Sequence, residues 1–147
     1  MNILRMEPHH TAQIAALEKI CFSDPWNEAS VASELENPLS LWLVAEENGA
    51  VLGYVGSQTC ADETDMMNLA VAPEARRRGV GRALVLALCG QLRKIGSTAL
   101  TLEVRVSNEN AIRLYASLGF TQVGRRPNYY FHPKEDALIL RKELKPL

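Results

Sequence analysis

A cluster of basic residues and glycines is the part of this sequence whose types and spacing point most directly to chemistry. It lies between an apolar run that ends at Val71 and an apolar run with helical spacing that begins at Val80. Two glycines at such a strand-to-helix junction let the backbone approach a ligand closely, and unpaired N–H groups at a helix N-terminus attract anions. Arginine side chains add positive charge at the same place. We therefore predict a pyrophosphate-binding loop formed by Arg76, Arg77, Arg78, Gly79, Val80, Gly81 and Arg82.

Two common phosphate-binding patterns do not match this loop. No Gly-Lys-Ser or Gly-Lys-Thr follows it, as a Walker A loop requires, and the spacing is not the Gly-x-Gly-x-x-Gly of dinucleotide-binding folds. A short arginine-rich run also occurs on solvated faces and in nucleic-acid patches. The basic residues taken alone leave those interpretations open.

A second group of candidate residues lies in the strand and helix that follow. In the expected strand Ala99–Val104, Glu103 points to the face opposite the leucines, because successive strand residues alternate. A carboxylate there is a candidate general base, although it is also what the solvated side of a half-buried strand usually carries. In the next helix, Tyr115 is a candidate proton donor and equally an ordinary packing residue.

Composition restricts the class of protein. The chain has 147 residues, 47% of them hydrophobic, and we expect one domain over residues 1–147. The net charge of −1 provides no overall field for nucleic acid, so no direct nucleic-acid binding is expected. Three separated cysteines argue against a disulfide framework or a zinc site and suit a reducing compartment. No apolar run has membrane-spanning length, so we expect a cytoplasmic protein without a metal or a membrane contact.

The apolar spacing predicts the elements that position these residues. Their order gives a mixed α/β (α+β) fold, with about seven mostly antiparallel strands and four helices. The predicted helices are Thr11–Ser23, Asn27–Glu36, Val80–Ile95 and Asn108–Leu118. The predicted strands are Asn2–Met6, Leu41–Glu46, Val51–Gln58, Met66–Val71 and Ala99–Val104, with two more in Thr121–Lys142 and a type I′ turn at Asn48-Gly49. The apolar face of the first helix is expected to carry Ile14, Leu17, Ile20 and Cys21.

Two motifs together resemble the GCN5-related N-acetyltransferase (GNAT) superfamily. Arg-x-x-Gly-x-Gly, which starts at Arg76 and precedes a helix, is similar to the acetyl-CoA pyrophosphate loop of that family. Asn-x-x-Ala-Ile-x-Leu-Tyr-x-x-x-Gly-Phe, from Asn108 to Phe120, is similar to its second acetyl-CoA motif. The motifs stand at the family's usual distance, and the resemblance covers essentially the whole chain. It implies a single GNAT-type domain that uses acetyl-CoA as cosubstrate.

Within the superfamily, the chain most resembles the bacterial ribosomal-protein-alanine N-acetyltransferases, the RimI branch. The likeness is carried by Pro25-Trp26, Asn68-Leu69-Ala70-Val71, Leu102-Glu103-Val104-Arg105, Arg126-Pro127-Asn128-Tyr129-Tyr130 and Glu135-Asp136-Ala137. The resemblance implies a general base at Glu103 and a general acid at Tyr115. It also implies cofactor contacts at Leu69, Ala70, Val71, Asn108 and Arg77 to Arg82.

Aromatic residues are the candidates for the acceptor side of the site. If the segment around Tyr129 and Tyr130 is a strand, their side chains point to opposite faces, so that one is core and the other lines a groove for a peptide N-terminus. Trp26 follows the first helix and is either a second wall of that groove or a core anchor. Asn27 and Pro127 depart from the family pattern, and Pro127 interrupts the substrate-side strand, which leaves the peptide preference open.

The resemblance implies direct transfer of acetyl to the N-terminal alanine of a small-subunit ribosomal protein. Glu103, directly or through a water, would take the amine proton, Tyr115 would donate to the CoA sulfur, and N–H groups near Ala70 and Val71 would polarise the thioester. The cofactor motifs do not distinguish amines, so a lysine or a small-molecule amine is the main alternative. A non-catalytic CoA-binding protein is less favoured, because the chain keeps both Glu103 and Tyr115. An RNA-associated protein is less favoured, because acidic residues are spread through the front half of the chain where a wide basic face would be needed.

Overall fold

The computed structural model describes residues 1–146. Its strands are β1 (Asn2–Arg5), β2 (Ser40–Glu47), β3 (Ala50–Cys60), β4 (Glu63–Val71), β5 (Ala99–Arg105), β6 (Thr121–Phe131) and β7 (Lys134–Glu143). Its α-helices are α1 (Thr11–Cys21), α2 (Glu28–Ser33), α3 (Val80–Lys94) and α4 (Glu109–Ser117). Within the described residues, the number and order of strands and helices confirm the predicted fold class. None of these helices has the length and apolar content that a membrane span requires.

Two predicted boundaries are wrong. β4 begins at Glu63 rather than at Met66, because Thr64 faces inward and its hydroxyl is hydrogen-bonded to Ser97 at 2.8 Å. This polar start of the strand has no apolar signal in the sequence. α2 ends at Ser33 rather than at Glu36, since the next residues form turns around the buried Glu34 carboxylate. Such local side-chain hydrogen bonds compete with continuation of a helix.

One sheet holds the strands in the order β1-β2-β3-β4-β5-β7-β6, and within the described residues only β4 and β5 are parallel neighbours. The β4–β5 pairing joins Glu63 to Ala99 and ends at Asp65 and Thr101. Beyond that point the C-terminal halves of the two strands are unpaired with each other. The result is an opening in the middle of the sheet, bordered by two free backbone edges.

A bulge in β4 lies beside this opening. Gly56 of β3 is opposite Asn68, whereas Ser57 is opposite Met66, so Met67 has no partner in the pairing with β3. A bulge bends its strand and increases the local twist. The bulge follows the last β4–β5 pair, at Asp65 and Thr101, so the bend begins where the two strands separate.

The alternation of the β3–β4 ladder determines which backbone groups face the opening. The N–H of Ala72 donates to the Leu52 carbonyl at 2.7 Å. In an antiparallel pair every second residue is hydrogen-bonded to the partner strand, so the N–H of Ala70 also points toward β3. The N–H groups of Leu69 and Val71 therefore point away from β3 and toward the opening. The sequence predicts that N–H groups near Ala70 and Val71 polarise the thioester. The N–H of Ala70 is instead hydrogen-bonded within the sheet, to β3.

Helix α1 buries a different set of residues from the predicted one. Ile14 and Leu17 are buried, but Ile20 is 63% exposed and Glu18 is fully buried. Ile14, Glu18 and Cys21 follow each other at intervals of four and three residues, which places them on one helix face. Apolar spacing does not identify this face, because one of its members is a carboxylate.

Two local predictions hold. The β2–β3 turn has positive φ at both Asn48 (53°) and Gly49 (80°), as a type I′ turn requires. The apolar stripe of α3 is buried from Val80 to Leu92, whereas Ile95 is 62% exposed because the helix ends one residue before it. The N-terminus of α3 is thereby fixed against β4, and this places the arginine and glycine loop beside the opening.

Candidate active site

The opening between β4 and β5 forms part of a groove of about 650 Å³. Its lining comes from the α1–α2 loop, the separated halves of β4 and β5, the start of α4 and the end of β6. The candidate residues that line it are Trp26, Leu69, Glu103, Asn108, Tyr115, Tyr129 and Tyr130. The structure thus brings together the acid–base candidates, the acceptor-side candidates and two of the cofactor candidates. The volume of the groove lies within the range of about 300–1,000 Å³ that small-molecule binding sites have.

Glu103 lies on the half of β5 that borders the opening. Its side chain is 27% exposed, and it alternates with the buried Leu102 and Val104, as the sequence pattern predicts. Its Oε1 lies 3.4 Å from the Nε of Arg126 on β6. The side chain of Arg126 is 55% exposed, so this ion pair is partly solvated and weakly held.

Tyr115 combines a packing position with a place in the groove lining. The residue is 5% exposed, and its ring packs edge-on against Phe120 at 5.3 Å. Its hydroxyl lies 3.6 Å from the Sδ of Met66. Burial raises the pKa of Tyr115 far above its usual value, and the nearby Tyr130 raises it further. The phenol therefore keeps its proton at neutral and mildly alkaline pH, as a proton donor must.

The two tyrosines of β6 do not point to opposite faces, and the expectation that one of them belongs to the core is wrong. Both line the groove, with ring centroids 5.0 Å apart and ring planes at 88°. Tyr129 is 46% exposed, and Tyr130 is half-buried. The cause is a shift in register between Arg126 and Tyr130, with Asn128 at a φ of 53°. Such an irregularity turns side chains away from simple alternation.

Arg105 fixes the acceptor side of the groove. Its guanidinium lies over the ring of Tyr130, 4.2 Å from the centroid, and donates to the Pro133 carbonyl at 2.9 Å and to Glu135 at 3.1 Å. Glu135 also accepts the backbone N–H of Ser107 at 2.8 Å. Hydrogen bonds from Ser107 and Arg105 lower the pKa of Glu135, and burial raises the pKa of Tyr130 to about 12. The β6–β7 hairpin is thereby tied to the end of β5.

Trp26 fits both interpretations of its position. It lines the groove, and its ring also lies 5.4 Å from that of Trp42 in the core. Its backbone N–H donates to Oε1 of Glu18 at 2.9 Å. Trp26 is therefore a groove wall that is anchored to the core from behind.

The arginine and glycine loop is not part of the groove lining and lies at the N-terminus of α3. Gly79 is the N-cap residue with a φ of 76°, and no side chain within residues 1–146 caps the helix at this end. The first N–H groups of α3, those of Val80, Gly81 and Arg82, have no partner inside the helix. They are available to an anionic ligand, as predicted.

Two arginines of the loop are engaged with the protein itself. Arg76 donates from Nε to the Val71 carbonyl at 3.3 Å. Nη2 of Arg78 donates to both carboxylate oxygens of Glu47, at 3.1 and 2.9 Å, and Arg78 lowers the pKa of that carboxyl. These side chains tie the loop to β4 and β2. Their predicted role in cofactor binding requires that they exchange these partners for a ligand.

The other two arginines are better placed for a ligand. Arg82 lies in the first turn of α3, and within residues 1–146 its side chain forms one hydrogen bond, to the Ser117 hydroxyl at 3.1 Å. Arg77 is exposed, has a φ of 65° and forms no ion pair with the carboxylates of residues 1–146. These two exposed side chains add positive charge at the N-terminus of α3.

The remaining cofactor candidates lie along β4 and at the start of α4. Leu69 lines the groove, Ala70 is 5% exposed, and Val71 is half-buried. Asn108 is the N-cap of α4, and its side-chain oxygen accepts the Ala111 N–H at 3.2 Å. This amide is thus partly used by the helix, which leaves its NH₂ group for a ligand in the groove.

A possible group of metal ligands lies away from the groove. Glu7, His9 and His10 bring ligand atoms within 4.8 Å of one another, and none of them lines the groove. Nδ1 of the buried His10 accepts the Glu7 N–H at 2.9 Å, and Nε2 lies 2.6 Å from Glu46. Since both ring nitrogens are already hydrogen-bonded, a metal ion would have to displace one of these partners.

The model of the acetyltransferase (GNAT) family matches residues 11–120. The match includes the loop at the start of α3, both strands that border the opening, and Glu103 and Tyr115. The chain belongs to the GNAT acetyltransferase family. It is an N-acetyltransferase with acetyl-CoA as cosubstrate.

Several proteins with a named activity are similar to this chain over most of their length. The [ribosomal protein bS18]-alanine N-acetyltransferase of Escherichia coli is 40% identical over 127 residues, which cover 84% of each chain. The enzyme of the same name from Haemophilus ducreyi is 35% identical over 127 residues, covering 84% of this chain and 87% of the relative. The crystal structure of the Escherichia coli enzyme superposes with a TM-score of 0.91 at 34% identity, over 99% of this chain and 95% of that one. The likeness therefore includes β6 and β7, which lie beyond the family match.

Proposed function

We propose that this GNAT enzyme acetylates the α-amino group of a ribosomal protein that begins with alanine, of the bS18 type for which its relatives are named. The observation that carries the proposal is the groove, which holds Glu103 and Tyr115 together with three aromatic residues on the acceptor side, Trp26, Tyr129 and Tyr130. The likeness to the Escherichia coli enzyme, 40% identity over 84% of the chain, supports the substrate class. A ribosomal-protein substrate implies that the enzyme works in the cytoplasm.

In this proposal acetyl-CoA enters from the N-terminus of α3. The N–H groups of Val80, Gly81 and Arg82, with the side chain of Arg77, provide the positive charge for its pyrophosphate. The pantetheine arm then pairs with the free edge of β4, in the way that an added strand does. The N–H groups of Leu69 and Val71 point toward the opening, and they are the donors available to the thioester carbonyl.

The reaction requires one bond to form, one to break and two protons to move. The amine nitrogen attacks the thioester carbon, and the carbon–sulfur bond breaks as the tetrahedral intermediate collapses. Glu103 takes the proton that the amine loses, directly or through a water, and Tyr115 supplies the proton that the sulfur gains. The raised pKa of Tyr115 ensures that this proton is present at working pH. Transfer is direct and needs no covalent enzyme intermediate.

The ordinary pKa values of amines favour an α-amino acceptor. An α-amino group with a pKa near 8 is about 10% neutral at pH 7, whereas a lysine with a pKa near 10.4 is less than about 0.1% neutral. An α-amino acceptor therefore asks less of the carboxylate of Glu103 than a lysine does.

Peptide acetylation followed by mass mapping tests the proposal. Peptides that begin with Ala, Ser, Met or acetyl-blocked Ala, each with one internal lysine, are incubated with acetyl-CoA. The expected product is the α-acetylated Ala peptide, with the blocked peptide left unmodified. An enzyme with both Glu103→Gln and Tyr115→Phe is the matched control for uncatalysed acetylation. An acetyl group found mainly on the internal lysine would reject the N-terminal acceptor and support the lysine alternative.

A further inference from the structure

Glu18 is a fully buried carboxylate that the proposed chemistry does not use. It lies on α1, and its oxygens accept three hydrogen bonds. The backbone N–H of Trp26 donates to Oε1 at 2.9 Å, the side-chain amide of Asn68 donates to Oε2 at 2.9 Å, and the hydroxyl of Tyr54 also donates to Oε2. The three donors come from the α1–α2 loop, from β4 and from β3. One side chain therefore joins four elements of the fold.

An aromatic stack closes a ring of contacts around this carboxylate. The ring of Trp26 lies 5.4 Å from that of Trp42, which stacks on Tyr54 at 5.8 Å with ring planes at 7°. Tyr54 then donates back to Glu18. Burial, followed by this hydrogen bond, raises the pKa of Tyr54. Glu18, Trp26, Trp42, Tyr54 and Asn68 are called the Glu18 cluster below.

The Glu18 cluster lies directly behind the groove. Trp26 and Asn68 both line the groove, Trp26 on its acceptor side and Asn68 on β4 beside the bulge. Glu18 itself is absent from the lining and is 0% exposed. Glu18 can therefore affect the acceptor substrate only through Trp26 and Asn68, the two residues that it holds.

Packing alone does not explain a carboxylate at this position. Taking a carboxylate out of water costs several kcal/mol before its hydrogen bonds are counted. Replacing a buried charge by an apolar side chain of similar volume often leaves the stability of the fold unchanged or raises it. An apolar side chain, however, accepts no hydrogen bond from the Trp26 backbone or from Asn68. The carboxylate therefore adds two hydrogen bonds that hold the α1–α2 loop at a fixed distance from β4.

We propose that Glu18 is a positioning residue, which holds Trp26 and Asn68 at a fixed separation and thereby sets the acceptor side of the groove. The inference rests on the proposed function, since it assigns Trp26 to the peptide side of the site. Glu18 touches no reacting atom in this role. Its effect on the reaction runs through the place at which the peptide N-terminus is held, where small displacements are costly.

The first test is Glu18→Gln. Glutamine offers one oxygen and one NH₂ group, so when its oxygen stays on the Trp26 N–H, its NH₂ group faces the NH₂ group that Asn68 donates to Glu18 in the wild type. We expect the KM for an Ala-initiated peptide to rise about tenfold. The KM for acetyl-CoA should change by less than about twofold. Both tryptophans of the chain belong to the Glu18 cluster, so their fluorescence emission should also shift.

The rescue variant exchanges the two functional groups. In Glu18→Gln combined with Asn68→Asp, the glutamine NH₂ group donates to the new carboxylate while its oxygen still accepts from Trp26. We expect the peptide KM and the tryptophan emission to return most of the way to the wild-type values. Tyr54→Phe is the matched control, because it removes one donor to Glu18 but keeps the links to Trp26 and Asn68. It should lower Tm and leave the peptide KM within about twofold.

Three outcomes overturn the inference. They are a folded Glu18→Gln protein with unchanged peptide KM, equal changes in KM for peptide and for acetyl-CoA, and a peptide KM that follows Tm across all three variants. Failure of the proposed function is distinguishable, because it shows as an absence of α-amino acetylation by the wild type. In that event the emission shift in Glu18→Gln and its reversal in the double variant still test the positioning role.

Discussion

The Nε of Arg126 lies 3.4 Å from Oε1 of Glu103, so the carboxylate proposed as the base is paired with a cation before any substrate binds. The guanidinium of Arg126 also lies 5.8 Å from the ring centroid of Tyr129, an alternative partner within the groove. A half-exposed pair with a single contact is weak and exchanges its partners readily. The α-ammonium group of a peptide is itself a cation that must approach Glu103. Arg126 and the substrate therefore compete for one carboxylate.

This competition predicts the effect of Arg126→Gln. Removal of the competing cation should lower the KM for an Ala-initiated peptide by about two- to fivefold, the range that corresponds to a surface ion pair. The KM for acetyl-CoA should not change, because its proposed binding groups lie on β4 and α3. Steady-state kinetics at low ionic strength measure both values. A rise in peptide KM would show instead that Arg126 helps to bind the peptide.

Arg125 provides a control of equal charge. It precedes Arg126 on β6 and pairs with Asp136 at 2.8 Å instead of with Glu103. Arg125→Gln removes the same positive charge from the same strand. The peptide KM should stay within about twofold of wild type. An equal effect of the two substitutions would assign the change to net charge rather than to competition at Glu103.

The proposed base predicts a pH-dependent defect in Glu103→Gln. At pH 7 we expect kcat to fall about 100-fold, the lower end of the range for general bases, because about 10% of an α-amine is already neutral. The defect should shrink as the pH rises through the pKa of the amine near 8. A pH–rate profile from 6 to 9.5 with an Ala-initiated peptide measures this. A constant ratio of wild type to variant across that range would remove Glu103 from the role of base.

The proposed acid predicts a defect that does not depend on pH. Tyr115 donates a proton only in its neutral form, and burial raises its pKa, so the loss of that form moves to higher pH. The wild type should therefore show no falling limb from this tyrosine below pH 9.5. Tyr115→Phe should lower kcat about 100-fold by a constant factor over the same range. A wild-type profile that falls between pH 8 and 9.5, and is flat in the variant, would contradict the raised pKa.

Local signals in the sequence predicted much of this fold and part of the site. The loop at the start of α3 and the alternation around Glu103 depend on residues that are adjacent in the chain. The spacing of apolar residues therefore located them correctly. The turn at Asn48 and Gly49 was also predicted correctly, because Asn-Gly readily adopts the positive φ angles that a type I′ turn requires.

The features that the sequence analysis missed depend on distant parts of the chain. The opening exists because the β4–β5 pairing stops at Asp65 and Thr101, and no local pattern specifies where two strands separate. The common face of Tyr129 and Tyr130 results from the shifted register of β6 against β7. Glu18 was missed because a carboxylate on a buried helix face contradicts the rule used to find that face.

The packing of the Glu18 cluster predicts a steric role for Gly56. A Cβ at this position would lie 2.4 Å from Cε2 of Trp42, closer than real Cβ contacts allow. Gly56→Ala should therefore displace the Trp42 ring and destabilise the protein by about 1–3 kcal/mol. Urea unfolding followed by tryptophan fluorescence measures the change.

Gly90 provides the same substitution in an open environment. It lies inside α3, and a Cβ there meets no atom within 4 Å. Gly90→Ala should stabilise the protein by about 0.5–1 kcal/mol, because alanine is the better helix former. Opposite signs for the two substitutions are expected. Destabilisation by Gly90→Ala comparable to that by Gly56→Ala would show that the Trp42 contact is not the cause.

The last prediction concerns the proposed pyrophosphate site, and Gly81 is the residue that tests it best. Gly79 has a φ of 76°, so any side chain there strains the backbone whether or not a ligand binds. A Cβ at Gly81 would meet Leu114 and Val71 only at ordinary distances of 3.5 and 3.7 Å. There is therefore room for a Cβ at Gly81, and a carboxylate in the first turn of a helix favours the helix.

The folded protein should thus be as stable with Gly81→Asp as without it, while the new charge repels the pyrophosphate. We expect the Kd for CoA, measured by calorimetric titration, to rise at least about tenfold relative to Gly81→Asn, a neutral side chain of the same size. The difference between the two variants should shrink at 0.5 M salt, since the charges are near the surface. With acetyl-pantetheine, which lacks the pyrophosphate, the two variants should have equal activity. Equal CoA affinities for Gly81→Asp and Gly81→Asn at low salt would show that the pyrophosphate binds elsewhere.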